Sequence, residues 1–161
     1  MTLLELCRWI QYSAPLVEMR SSPWLFPVIA TFHLFGLAII GGAVLLVDLR
    51  LLGFGLQGQR AADIARDAER WLIRGLWVAL PTGVLLFMCF ATKYYHLTFF
   101  WVKLAALIVV LFFTFSIRRR VALAADDGVN PARRRRERIV AVVSLSLWTT
   151  VALGGRYIGF P

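Results

Sequence analysis

The stretch Trp24-Leu25-Phe26-Pro27-Val28-Ile29-Ala30-Thr31-Phe32-His33-Leu34-Phe35-Gly36-Leu37-Ala38-Ile39-Ile40-Gly41-Gly42-Ala43-Val44-Leu45-Leu46-Val47 contains no Asp, Glu, Lys or Arg and stops at Asp48-Leu49-Arg50. About 20 apolar residues is the length that carries an α-helix across the hydrocarbon core of a bilayer. In lipid every backbone N–H and C=O must find a partner within the protein, so only helices and closed barrels span, and the lack of strict alternation here selects a helix. Pro27 falls in the opening turn, where the first N–H groups have no intrahelical acceptor anyway.

Three more stretches follow the same pattern. The second span is expected at about 71–91, with Pro81 kinking it. The third is expected at about 94–117, opening in Lys93-Tyr94-Tyr95-His96, which resembles an interfacial belt, and stopping at Arg118-Arg119-Arg120. The fourth is expected at about 139–158. Residues 57–70 read as a polar linker, and Asp126-Asp127-Gly128-Val129-Asn130-Pro131 as a turn ahead of Arg133–Arg136 and Arg138. Residues 1–19 are too interrupted by Glu5, Arg8, Gln11 and Glu18 to span, and read as an amphipathic helix lying in the interface. They lack a basic start and a cleavage pattern, so they are expected to stay in the mature protein. The expected fold is all-α: one domain over 1–161, an integral membrane four-helix bundle with an N-terminal interfacial helix.

Composition agrees. Hydrophobic residues make up 60% of the 161 and charged residues only 17%, which leaves too few charges to solvate every exposed face. The net charge of +9 would suggest nucleic acid in a soluble chain. Here the basic residues flank apolar segments, and no aromatic-basic pattern lies outside the spans, so no nucleic-acid partner is expected and membrane lipid is. Thirteen Lys and Arg border the loops after spans one and three, against five on the opposite side. The positive-inside rule then puts both Arg-rich loops in the cytoplasm and both termini in the periplasm, for a multi-pass protein of a bacterial inner membrane.

Few side chains can do chemistry. Cys7 and Cys89 form no CxxC or Cys/His pattern, which argues against a zinc site. Met19 and Met88 are thin as a thioether path for copper, and no span has an acidic residue near its centre for a proton or cation pathway. His33 lies about 14 Å into the first span, where an imidazole is costly unless bound. It is either a cofactor ligand or a histidine hydrogen-bonded to a neighbouring helix. Gly36, one turn on, makes room for a flat macrocycle or for close helix packing. If the third helix enters at Tyr94, His96, Phe100 and Lys103 share a stripe, with Lys103 at the depth of His33 and His96 about 10 Å shallower. Depth favours Lys103 as the group facing His33, and ligand chemistry favours His96; Lys103 could instead snorkel or pair with an acidic cofactor group. Arg156 near the end of span four could clamp a carboxylate or meet lipid phosphates. Asp48 and Arg50 are expected to pair with each other or with Arg74. His33, Tyr95, His96, Lys103 and Arg156 all map to the exterior half, while the cytoplasmic half reads as apolar up to its Arg-rich boundary.

The run Phe32-His33-Leu34-Phe35-Gly36, continuing through Gly41-Gly42 to Asp48-Leu49-Arg50-Leu51-Leu52-Gly53, together with Phe100-Trp101-Val102-Lys103-Leu104, resembles the copper-resistance D membrane proteins. That superfamily includes the membrane-type, haem-containing protoporphyrinogen oxidase, and the resemblance covers roughly residues 24–117. It implies haem b, with His33 as a ligand and Lys103 in the same site. The oxidase members carry a second histidine soon after the first-helix arginine and an Asn-Glu-Pro-like stretch before the last helix. This chain has Leu51-Leu52-Gly53-Phe54-Gly55 and Arg136-Glu137-Arg138-Ile139 instead. The expected function is therefore a haem b-binding, cytochrome b-like membrane protein that transfers electrons near the periplasmic face, alone or within a larger redox complex. The metal ligands would be His33 and His96, and the cofactor residues His33, Gly36, Tyr95, His96, Lys103 and Arg156. A porphyrin-oxidising enzyme and a cofactor-free scaffold or assembly subunit are the alternatives.

Overall fold

The computed structural model describes residues 2–55, 58–125 and 131–158. Seven helices are numbered here: α1 (Leu3–Gln11), α2 (Ala14–Ser21), α3 (Leu25–Leu52), α4 (Ala61–Cys89), α5 (Ala91–Tyr95), α6 (Thr98–Leu123) and α7 (Pro131–Ile158). Four of them, α3, α4, α6 and α7, are long and apolar enough to cross a membrane. They form the expected bundle. Its outer surface is apolar, with Phe32, Phe35, Trp77, Ile108 and Phe112 each more than half exposed, a surface that lipid can solvate and water cannot.

The boundaries differ from the sequence reading in ways that have physical reasons. The expected linker 57–70 is helical from Ala61 onward. Ala61, Ala62, Ile64, Ala65 and Ala68 are buried at helical spacing, while Asp63–Arg66 and Asp67–Arg70 pair on the exposed face. Arg133–Arg138 likewise ride on α7, whose start tolerates Pro131 in its first turn. The third span begins at Thr98, not Tyr94, because Leu97 is extended and α5 forms a separate turn. It runs on past the arginines to Leu123, with one wide π-turn at Thr114–Arg118. α3 continues to Leu52 and is stopped by Gly53, whose φ of 91° is the left-handed region glycine favours. The N-terminal segment is two helices instead of one, broken at Tyr12-Ser13. The turn expected at 126–130 lies outside the described residues.

α1 begins with a capping box in which Thr2 and Glu5 exchange hydrogen bonds. Its polar Gln11 faces inward, accepting from the Thr92 N–H at 2.8 Å, and its Leu3, Trp9 and Tyr12 face outward. That arrangement suits a helix bedded in an interface with its apolar side on lipid. Arg20 of α2 donates to the Cys89 carbonyl at 3.0 Å, satisfying a group that the end of α4 leaves open.

Within the bundle α3 packs most closely on α4, with α7 on its other flank and α6 beyond α7. The α3–α4 seam is close because it is small. A Cβ on Gly36 would stand 2.9 Å from the Ala79 backbone nitrogen, and one on Gly75 would stand 2.8 Å from Ile40 Cγ1. Gly36 thus packs closely on α4. Without a hydrophobic driving force between spans, such contact is a main source of stability in lipid. Gly36→Val should therefore force α3 and α4 apart and lower stability by about 1–3 kcal/mol, an overpacking penalty measurable by thermal unfolding in detergent.

Candidate functional site

The site begins with a proline. Pro81 lies inside α4 and has no N–H to give the preceding turn. Thr82 beside it turns its hydroxyl back to the Val78 carbonyl at 2.6 Å. The Ala79 carbonyl in the same turn receives His33 Nδ1 from α3 at 3.0 Å, and Thr82 Oγ1 lies 3.1 Å from the same nitrogen. A carbonyl oxygen can only accept, so Nδ1 is the protonated nitrogen of the neutral ring. Nε2 is left with the lone pair that a metal or another donor can use. Gly83 gives the ring its place: a Cβ there would come within 3.0 Å of His33 Cε1.

Lys103 of α6 lies within electrostatic range of His33. Its stem rests on α7, where a Cβ on Gly154 would meet Lys103 Cβ at 3.1 Å and one on Gly155 would meet Nζ at 3.2 Å. The Gly154-Gly155 pair thus makes room for this lysine. α4 packs substantially on α6 only through the last turns of α6, Arg119–Leu123, so the two helices are loosely joined at the level of His33 and Lys103. Above that level aromatic rings close the gap. Phe87 of α4 stacks on Phe100 of α6 with centroids 4.9 Å apart, and Tyr94 stacks on Phe100 at 6.0 Å.

The other expected site residues lie further out. His96 is not on the α6 stripe with Lys103; it caps α5, is exposed, and sets its ring edge against Tyr95. Tyr95 is half-buried and its carbonyl accepts from the Trp101 indole at 3.0 Å. Arg156 is exposed near the same end of α7. Of these residues only Lys103 lies near enough to His33 to act on it electrostatically, and His96 and Arg156 are exposed on the rim. Among the described residues no cluster of three or more His, Cys, Asp or Glu could hold a bare metal ion. Haem iron is different, because the porphyrin supplies four ligands and the protein only the axial ones.

The opposite end corrects the sequence reading outright. Asp48 pairs neither with Arg50 nor with Arg74: it is fully buried and receives Arg118 Nε at 2.6 Å, while Arg118 Nη2 donates to the Val44 carbonyl at 3.1 Å. Arg50 reaches the Gln59 carbonyl, and Arg74 lies over the Trp71 ring. Nor is that half apolar, since Thr114, Arg118 and Ser144 are buried with Asp48.

Sequence reasoning missed Ala79, Thr82 and Gly83 as the setting of His33. A Pro-Thr-Gly run inside a span was the available signal, because it loosens backbone hydrogen bonding where a neighbouring helix can use it.

Fold and geometry together define a four-span membrane protein with His33 hydrogen-bonded across two helices and Lys103 seated against Gly154 and Gly155 in the same half of the bundle. The chain belongs to a family of unknown function (DUF6644), which matches residues 26–161. No curated protein and no solved structure matches it.

Proposed function

We propose that the protein binds haem b through His33 and carries electrons near the outer face of a bacterial inner membrane, within a larger redox complex or to a separate redox partner. The observation that carries this reading is the hydrogen bond from His33 Nδ1 to the Ala79 carbonyl. It fixes the ring and its tautomer and leaves Nε2 free to ligate, as the carboxylate, backbone carbonyl or water behind a metal-bound histidine does. When bound, haem supplies one-electron ferric/ferrous chemistry. The chain's own residues do the rest. Thr82 and Gly83 hold the imidazole in place, and Lys103 offers a second donor or a partner for an acidic group of the cofactor. Arg156 at the rim is suited to bind a propionate by paired hydrogen bonds. The resemblance to the copper-resistance D proteins points to the same pair, His33 and Lys103.

The same hydrogen bonds would also satisfy a purely structural histidine, which keeps a cofactor-free scaffold as the second reading. Extracting the cofactor from detergent-purified protein as its pyridine complex separates the two, with about one haem b per chain expected for the first and none for the second. Incubation with protoporphyrinogen and a quinone acceptor tests the enzymatic variant, and no porphyrin formation is expected.

Orientation follows from the thirteen-to-five split of basic residues. In a background with Cys7 and Cys89 replaced by alanine, a cysteine at Asn130 should stay unlabelled by an impermeant thiol reagent in intact cells, and one at Thr2 should react. The reverse pattern would turn the histidine end to the cytoplasm.

A further inference from the structure

The end of the bundle remote from His33 holds four side chains that are polar and at most partly satisfied. Asp48 Oδ2, Ser144 Oγ, Thr114 Oγ1 and Trp148 Nε1 are all buried atoms with no hydrogen-bond partner among the described residues. Asp48 and Ser144 are fully buried and Thr114 nearly so. An unmatched polar group costs most in a low-dielectric interior, and four in adjacent turns are not left unmatched without something to bind them.

Topology stacks these groups in two adjacent turns. Asp48 of α3 and Arg118 of α6 are joined directly, and the Ser144 hydroxyl of α7 is close enough to the Asp48 carboxylate to interact with it, though outside direct hydrogen-bond geometry. Thr114 is one turn before Arg118, and Trp148 one turn after Ser144. Because α6 and α7 run in opposite directions, both fall on the same side of the Asp48 layer. Helical side chains lean towards their N-terminus, so Trp148 leans back over Ser144. A hydroxyl and a carboxylate that face each other without a direct hydrogen bond can share a water.

A small cavity lies beside this cluster, on the α3–α4 side of α6. This cavity, of about 20 Å³, is lined by Thr114 and Arg118 within and by Glu69 and Arg119 towards the outside, where those two form an ion pair at 2.8 Å. One water needs roughly 10–15 Å³ of such space. The wide turn at Thr114–Arg118 sits at this point, and turns of this kind inside α-helices often mark functional sites.

We propose that Asp48 Oδ2, Ser144 Oγ and Trp148 Nε1 bind an internal water, next to the cavity that Thr114 and Arg118 line. The site hydrates a buried ion pair inside the bundle, and it ends below Val110, which is fully buried one turn nearer to Lys103. It is independent of any cofactor at His33.

Nuclear magnetic resonance on protein labelled with ¹⁵N-tryptophan in lipid nanodiscs tests it, with Trp148→Phe assigning the indole signal. The Trp148 indole proton should show a cross-relaxation peak to water in the wild type. That peak should be lost in Ser144→Val, which removes the hydroxyl and fills its space. No water peak in the wild type, or one unchanged in Ser144→Val, overturns the proposal. Should Ser144→Val misfold, the wild-type peak decides by itself.

Discussion

His33→Ala should yield a folded, membrane-inserted protein with no bound haem. The imidazole is half-buried and hydrogen-bonds to Ala79 and Thr82, and those two neutral contacts contribute about 0.5–1.5 kcal/mol each, too little for their loss to unfold a four-span bundle. The proposed haem depends on the ring far more, because His33 is the only histidine within a span and His96 is exposed at the cap of α5. Lys103→Met and His96→Ala then divide the remaining roles. Lys103 is within electrostatic range of His33, so its loss should change the spectrum of the bound haem, whereas loss of His96 should leave it unchanged. Full haem content in folded His33→Ala would remove His33 from the site.

The largest expected effect on stability lies at the other end. Asp48→Ala leaves the Arg118 guanidinium buried without its carboxylate, and breaking a buried pair from one side costs about 3–5 kcal/mol. That is enough to lose most of the folded protein during detergent extraction, as judged by size-exclusion chromatography. The double replacement Asp48→Leu with Arg118→Met removes both charges and should recover most of the loss, because an apolar pair of similar volume avoids desolvating two ions. Equal damage from the single and double variants would show that the pair contributes something other than charge balance.

These two sites differ in how far they could be read from the chain. The four spans were legible because lipid imposes length and hydropathy on each one separately, with no knowledge of its neighbours. Span ends were not, because helices continue beyond the hydrocarbon wherever alanines repeat at the right spacing, as at 61–68. His33 stood out by residue type and depth. Its acceptor is a backbone carbonyl, which carries no residue signature, so Ala79 could not be foreseen. Asp48 was linked to arginines near it in sequence, yet its partner is 70 positions away. Arg118 begins a run of three arginines that read as a solvated stop signal. The wide turn at 114–118 and the packing of α6 against α7 bring the first of them inward, while Arg119 stays at the rim with Glu69.

The most direct test of the proposed function is a dithionite-reduced minus oxidised visible spectrum of the detergent-purified wild-type protein. The sharp α and β bands of a six-coordinate b-type haem are the expected result, and a spectrum with no haem bands in protein purified from haem-replete cells would contradict it.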